Sequence, residues 1–227
     1  MEGAAQGSRI ACVGLKILII NPNTTAAMTR LVASHLQRAL PHAQLVEATA
    51  PEGDAVIATQ KAFDAAAVTS VRMLRHAIEE GAAFDAVLLA CFGDPGLEAM
   101  RTATSRPVTG LAWASMQQAE KAGTPYAVVT AGQPWQAILT RRFTQWGASS
   151  LFKGVELVQA TGLSVLEDPL GALTAVLRAI SQAQETGAKQ VILGGSVFAG
   201  HKDLISQQGL RSDHLADCVQ AAALQLS

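Results

Sequence analysis

The chain has 227 residues, 49% of them hydrophobic and 15% charged, with a formal net charge of -1. That length and apolar content suffice for a full core in one large domain or two small ones, and they argue against disorder. A near-zero charge offers no electrostatic footprint for nucleic acid or an anionic membrane, and it leaves a neutral or anionic small ligand open.

In chain order, residues 1–14 are rich in small residues, carry Glu2 early and lack an apolar segment long enough for export, so they read as a disordered extension. Residues 16–20 form a β-branched apolar run of the kind buried on both faces of a parallel sheet. Asn21-Pro22-Asn23-Thr24 stops it, and Thr24 or Thr25 can cap a helix over 26–40 that Pro41 ends. A second strand is expected over 44–48, then a loop, then an alanine-rich helix over 55–80 closed by Gly81.

The apolar run 86–90 reads as a buried strand that ends at one thiol, Cys91, before the turn Gly93-Asp94-Pro95-Gly96 and a helix over 97–104. Residues 107–111 make another strand and 113–122 a helix, and Gly123-Thr124-Pro125 is a clear break. A strand over 126–130 restarts the pattern, followed by a helix over 135–146 led by Pro134. Residues 154–160 are strand-like, Asp168-Pro169 opens a helix to about residue 185, and 190–193 is a last apolar strand ending in Gly194-Gly195-Ser196. A polar stretch to residue 212 and a C-terminal helix over 213–226 complete the chain.

Alternation of strand and helix indicates α/β layers with parallel sheets. The strand before Asn-Pro-Asn-Thr echoes that before Ala131-Gly132-Gln133-Pro134, and residues 84–91 echo 188–195. Two similar halves facing each other across a cleft are therefore expected. Ligands of open α/β sheets bind outside the carboxyl ends of the strands, so the site is expected at Asn21 to Thr24, Cys91 to Asp94, Thr130 to Gln133 and Gly194 to Ser196.

Cys91, at a strand end and beside a helix N-terminus, has two readings: a thiol of lowered pKa able to act as a base, or a small hydrophobe filling the core. Asn21 and Asn23 offer donors and acceptors to substrate carbonyl or amide groups, and the same side chains would equally cap a turn. Thr130 can bond substrate or simply pack as a strand residue, Ser196 can orient substrate or a water, and Phe92 and Phe198 can wall a pocket or the core. His201 reads as a solvated surface residue, and Trp135 and Trp146 as side chains packing a helix on the sheet. Cys12, Cys91 and Cys218 are far apart, odd in number and without metal-ligand spacing, so neither a disulfide framework nor a metal site is expected and the usage fits a reducing cytoplasm. No apolar run approaches the roughly 20 residues that span a bilayer.

Asn21-Pro22-Asn23-Thr24 with Met28-Thr29, and Cys91-Phe92-Gly93-Asp94-Pro95-Gly96-Leu97, closely resemble the hydantoin and allantoin racemase branch of the aspartate/glutamate racemase superfamily. Pro107 to Ala112, Val128 to Thr130, Trp135 and Ile192-Leu193-Gly194 continue the resemblance in order. It implies an α/β fold of two pseudo-symmetric three-layer halves with mostly parallel sheets and the active-site cleft between them. On that division the first half spans 15–110, completed by a C-terminal segment over 205–227, and the second spans 111–204.

The resemblance further implies a homo-oligomeric, cofactor-independent racemase or epimerase of a hydantoin-like or amino-acid-derived substrate. Two cysteines would flank the chiral carbon, one removing the α-proton and the other delivering a proton to the opposite face. Cys91 would be the catalytic acid/base, and Asn21, Asn23, Phe92, Gly93, Thr130, Gly195 and Ser196 would bind substrate. The chain departs from the pattern at the second thiol: where the family has Leu-Gly-Cys-Ala-Gly-Met, this chain has Leu193-Gly194-Gly195-Ser196-Val197-Phe198. A glycine carries no proton. A single-thiol decarboxylase and a small-ligand binder that has lost catalysis are the alternatives.

Overall fold

A computed structural model describes residues 14–227. The expected disorder of the N-terminal extension, and Cys12 with it, lie outside the described residues. The first half runs β1 (Lys16–Asn21), α1 (Ala26–Ala39), β2 (Gln44–Thr49), α2 (Gln60–Glu79), β3 (Ala86–Leu89), α3 (Leu97–Ala103) and β4 (Val108–Gly110), leading into α4 (Leu111–Ala122). The second runs β5 (Tyr126–Ala131), α5 (Pro134–Gln145), β6 (Phe152–Val158), α6 (Gly162–Glu167), α7 (Leu173–Glu185), β7 (Gln190–Leu193), a 3-10 turn at Ser196–Phe198, α8 (His201–Gln207), β8 (Leu215–Asp217) and α9 (Cys218–Leu226).

The strands form two four-stranded sheets of order β2-β1-β3-β4 and β6-β5-β7-β8, parallel throughout. The echoed segments hold corresponding positions. β1 pairs with β3 (Ile17 with Ala86, Ile20 with Leu89) as β5 pairs with β7 (Tyr126 with Gln190, Val129 with Leu193).

Side chains alternate across each strand, and this builds the layers. Ile17, Ile19 and Leu88 of one sheet and Tyr126, Val128 and Ile192 of the other share one core with α1, α4 and α9. Leu18, Ile20, Val87 and Leu89 face a second core against α2 and α3, and Ala127, Val129, Val191 and Leu193 face a third against α7. The shared core locks the halves together, so the strand ends that carry the site loops are held by buried side chains of both halves. Among the described residues, no helix is long and apolar enough to cross a membrane.

Several expected boundaries shift, each for a local reason. The helix expected from residue 55 begins at Gln60, because Thr59 accepts from Ala62 N–H at 3.0 Å as its N-cap. Residues 55–58 stay outside the helix as irregular chain, and Val56, Ile57 and Ala58 reach the cleft instead. An unexpected α6 is set by a capping box in which Thr161 and Ser164 bond reciprocally. Asp168 ends that helix, Pro169 disfavours helical backbone at the residue before it, and α7 starts only at Leu173.

The C-terminal helix expected from residue 213 begins at Cys218. Leu215 to Asp217 instead extend the second sheet by pairing with Val191 to Leu193, and Asp217 then caps α9 through Val219 N–H at 2.8 Å and Gln220 N–H at 3.1 Å. The polar stretch before it holds α8.

Candidate active site

A cavity of about 290 Å³ opens at the carboxyl ends of β1, β3, β5 and β7, between the halves. Asn23, Cys91, Phe92, Thr130, Gly195 and Ser196 line it together with Met28, Val56, Ile57, Trp135, Thr161 and Phe198. Among the described residues, no charged side chain lines it. A wider groove of about 760 Å³ between α2 and α3 contains none of the strand-end loop residues expected to form the site.

On the first half, β1 delivers Asn21 and Asn23. Asn21 is fully buried and outside the cavity lining. Its Nδ2 donates to Asn23 Oδ1 at 3.0 Å and to Thr29 Oγ1 at 2.9 Å, while its Oδ1 accepts from Asn23 N–H at 3.2 Å. Asn23 Oδ1 is taken a second time by Thr25 N–H at 2.9 Å, so the group it turns to the cavity is Nδ2, 3.5 Å from Met28 Sδ. A thioether is a weak acceptor, which leaves that donor free for a better one.

Cys91 follows β3 and is 5% exposed, at the cavity wall. The lowered thiol pKa expected from its place in the sequence is not found: burial, and secondarily the charge of Asp94, push Cys91 well above the ordinary thiol range. The helix that was to lower it, α3, begins six positions further on at Leu97, and among the described residues no backbone N–H donates to Sγ. The thiol therefore holds its proton at neutral pH.

Gly93 lies behind the wall rather than in it. Its φ of +105° is a conformation that glycine tolerates, and a Cβ there would meet the Trp135 ring at 2.8 Å. Phe92 reaches across to the second half and packs against the backbone of Gly194.

On the second half, Thr130 is the penultimate residue of β5 and is 4% exposed, and Ser196 follows β7 with its Oγ 4.0 Å from the same Met28 Sδ that faces Asn23. Gly195 has a φ of +152°, and its carbonyl accepts from Cys218 Sγ at 3.6 Å. Cys218 is buried at the start of α9, outside the cavity lining. His201, expected in solvent, is 3% exposed, with its ring edge-on to Phe198 at 5.1 Å. Burial pushes it down to about 4, so it is neutral at physiological pH. It is not a cavity residue.

The sequence did not single out Met28, Val56, Ile57 or Thr161 as wall residues, and it placed Trp135 in helix packing. Met28 stood only in the motif that carries the resemblance and Thr161 only in a loop, while Val56 and Ile57 fell within the helix expected over 55–80. Two further groups had no role assigned from sequence, Asp94 within the expected site loop and Arg142 outside it. Asp94 is completely buried, and its carboxylate accepts from Ala112 N–H at 3.2 Å and Trp113 N–H at 2.6 Å. Arg142 on α5 crosses to the thiol's loop, donating to the carbonyls of Gly93 and Asp94 at 3.2 Å each and to the Glu98 carboxylate at 3.0 Å. Trp146 Nε1 donates to the same carboxylate at 2.7 Å, and the Arg142 guanidinium lies 4.4 Å from the Trp146 ring.

The family profile described as Asp/Glu/hydantoin racemase matches residues 17–226. A hydantoin racemase of Paenarthrobacter aurescens is 31% identical over 198 residues, covering 86% of this chain and 83% of that protein. Among solved structures, an allantoin racemase from Klebsiella pneumoniae superposes with a TM-score of 0.81 at 28% identity, covering 93% of this chain and 86% of that one. One from Pseudomonas fluorescens gives 0.82 at 26% identity, with 93% and 89% covered.

Proposed function

The chain belongs to the Asp/Glu/hydantoin racemase family and is an isomerase of the racemase type, and from that premise we propose that it exchanges the α-proton of a neutral, hydantoin-like substrate through Cys91. The supporting observation is the cavity itself. One thiol faces it from the first half, with polar groups of Asn23, Thr130 and Ser196 around it and no charged side chain among the described lining residues. A free amino acid brings at least two charges, and a malonate-like acid brings two of one sign. Either would lose its hydration there without a partner ion. A cyclic amide with an apolar substituent meets walls of Phe92, Trp135 and Phe198 and donors for its carbonyls.

In this reading Cys91 acts as the acid/base on one face of the α-carbon. The thiolate takes the α-proton, the electron pair moves onto the neighbouring carbonyl, and Asn23 Nδ2 stabilises the oxygen that becomes negative. Protonation of the flat carbanion on the opposite face completes inversion, and the side of the cavity away from Cys91 carries Gly195 and Ser196. We read Gly195 as standing where relatives carry a second thiol, so that a water held at Ser196 delivers the second proton, and the hydroxide left there takes up the proton that Cys91 gained, which restores water and thiolate. No cofactor enters the scheme, and the homo-oligomeric state belongs to the same proposal, to be read by light scattering.

Incubation in deuterated water with single enantiomers of 5-substituted hydantoins and allantoin, with aspartate and glutamate as charged comparisons, tests the reading. The expected result is loss of optical rotation with one deuterium taken up from a hydantoin-like substrate, abolished in Cys91→Ala. Absence of exchange on every substrate overturns it. Cys91-dependent release of carbon dioxide from a malonate-like acid would establish the lyase instead, and thermal stabilisation by these ligands without turnover would mark a binder.

A further inference from the structure

Asp94 combines three costs in one residue. It is completely buried, and its carboxylate is met by two backbone amides rather than by a cation. Its φ of +53° is the one positive value at a non-glycine among the described residues. Buried carboxylates and left-handed backbone at ordinary residues are both unfavourable. All three are spent beside the thiol: Asp94 N–H donates to the carbonyl of Cys91 at 3.0 Å, closing the turn on which the thiol sits.

The neighbouring chain makes room for this carboxylate. It caps α4 from 18 and 19 positions earlier in sequence, although an ordinary cap would come from the helix's own N-cap position. That position is Gly110, whose φ of -131° any residue adopts. A Cβ on Gly110 would collide with the Asp94 carboxyl. The glycine is there for space, not for backbone freedom, and the space is filled by Asp94.

We propose that Asp94 is the positioning residue of Cys91: it pins the turn carrying the thiol to the amino end of α4 and sets a buried negative charge against it. The inference rests on the reading of Cys91 as the acid/base. The charged and titratable groups facing Asp94 are Cys91 on its own turn, Arg101 on α3, Arg142 on α5 and Cys218 on α9. Glu98 of α3 is paired with Arg142. Burial opposes the ionised carboxyl, while the amides of Trp113 and Ala112 and, less strongly, the two arginines favour it, leaving it at about 7. Next to that charge the thiol is a held proton donor, and the small fraction present as thiolate is a strong base.

The test is the rate of iodoacetamide alkylation at Cys91, mapped by peptide mass spectrometry against pH, in wild type and Asp94→Asn. At a pH below the thiol's pKa, the thiolate fraction rises about tenfold each time that pKa falls by one. The variant is expected to alkylate roughly tenfold faster at pH 8, with its profile displaced to lower pH. On substrate, kcat falls while KM changes little, since no cavity contact is removed. Superimposable alkylation profiles overturn the proposal.

Asparagine offers α4 a donor where one oxygen accepted, so Asp94→Asn can fail to fold. Gly110→Ala then reads the same relation, because its methyl displaces the carboxyl while the backbone stays allowed. The profile is expected to move in the same direction, and an unmoved profile with unchanged kcat overturns the proposal. Alkylation is measured without substrate. It therefore reads Asp94 even if Cys91→Ala should show that the thiol takes no part in exchange.

Discussion

Asn21 holds Asn23 by its amide oxygen, donating Nδ2 to Oδ1 at 3.0 Å, so Asn23 shows the cavity a donor and not an acceptor. A second bond to that oxygen from Thr25 N–H removes the ambiguity of the amide's orientation. A donor at that point suits a carbonyl oxygen that gains negative charge.

Replacing it tests this directly. Asn23→Ala is expected to reduce kcat/KM by about 10- to 100-fold, the range for losing one hydrogen bond to a charged oxygen. Asn23→Asp, of the same shape but offering an acceptor, is expected to cost more. Steady-state kinetics with a hydantoin checks both, and an aspartate variant as active as wild type would remove Asn23 from the oxygen's environment.

Gly195→Ala and Gly195→Cys are both expected to lower stability by roughly 1–3 kcal/mol. The φ of +152° is unfavourable for any side chain, and a Cβ there would lie 3.0 Å from the Phe198 ring. Because the two variants share this backbone cost, their urea midpoints should agree, and a faster deuterium exchange in the cysteine variant than in the alanine variant reports the added thiol alone.

Arg142 ties α5 of the second half to the Cys91 turn. Arg142→Ala strips the carbonyls of Gly93 and Asp94 and the Glu98 carboxylate of one shared donor group, and is expected to cost about 2–4 kcal/mol. Arg142→Lys is expected to restore only part, because an ammonium on a flexible stem cannot reproduce the guanidinium fork over Trp146. Urea unfolding of the two variants decides it, and full rescue by lysine would reduce the contact to a point charge.

Two buried groups give opposite pH dependences of stability. Asp94, ordinarily near 3.8, is pushed up to about 7 by burial, so the folded state binds the extra proton and about 4 kcal/mol is lost as pH rises through that window. His201, ordinarily near 6.5, is pushed down to about 4 by burial, so about 3 kcal/mol is lost as pH falls from 6.5 to 4. The two slopes nearly cancel between pH 4 and 6.5. Urea midpoints should therefore rise with pH in Asp94→Asn and fall with pH in His201→Phe, relative to wild type. Parallel profiles in all three proteins would contradict the assignment.

Much of the fold was legible because its signals are local. The apolar runs at residues 16–20, 86–90, 126–130 and 190–193 match the four central strands of the two sheets, and the turn chemistry after each marks where a loop must leave the sheet. From strand order alone follows the convergence of Asn23, Cys91, Phe92, Thr130, Gly195 and Ser196 on one cavity. Asn21 and Gly93, equally close in sequence, stand behind that wall: the Asn21 amide is taken up by Asn23 and Thr29, and Gly93 turns its backbone against the Trp135 ring.

Only the tertiary structure decided the properties that depend on distant neighbours. The thiol's protonation followed burial and Asp94 rather than the helix beside it in sequence, and His201 entered the core although its surroundings in sequence are polar. Leu215 to Asp217 became a strand because β7 presented an open edge. A residue's own side chain and its nearest neighbours determine whether the chain extends, coils or turns. Its charge state, its exposure and its partners across the cleft are set by what the fold brings against it.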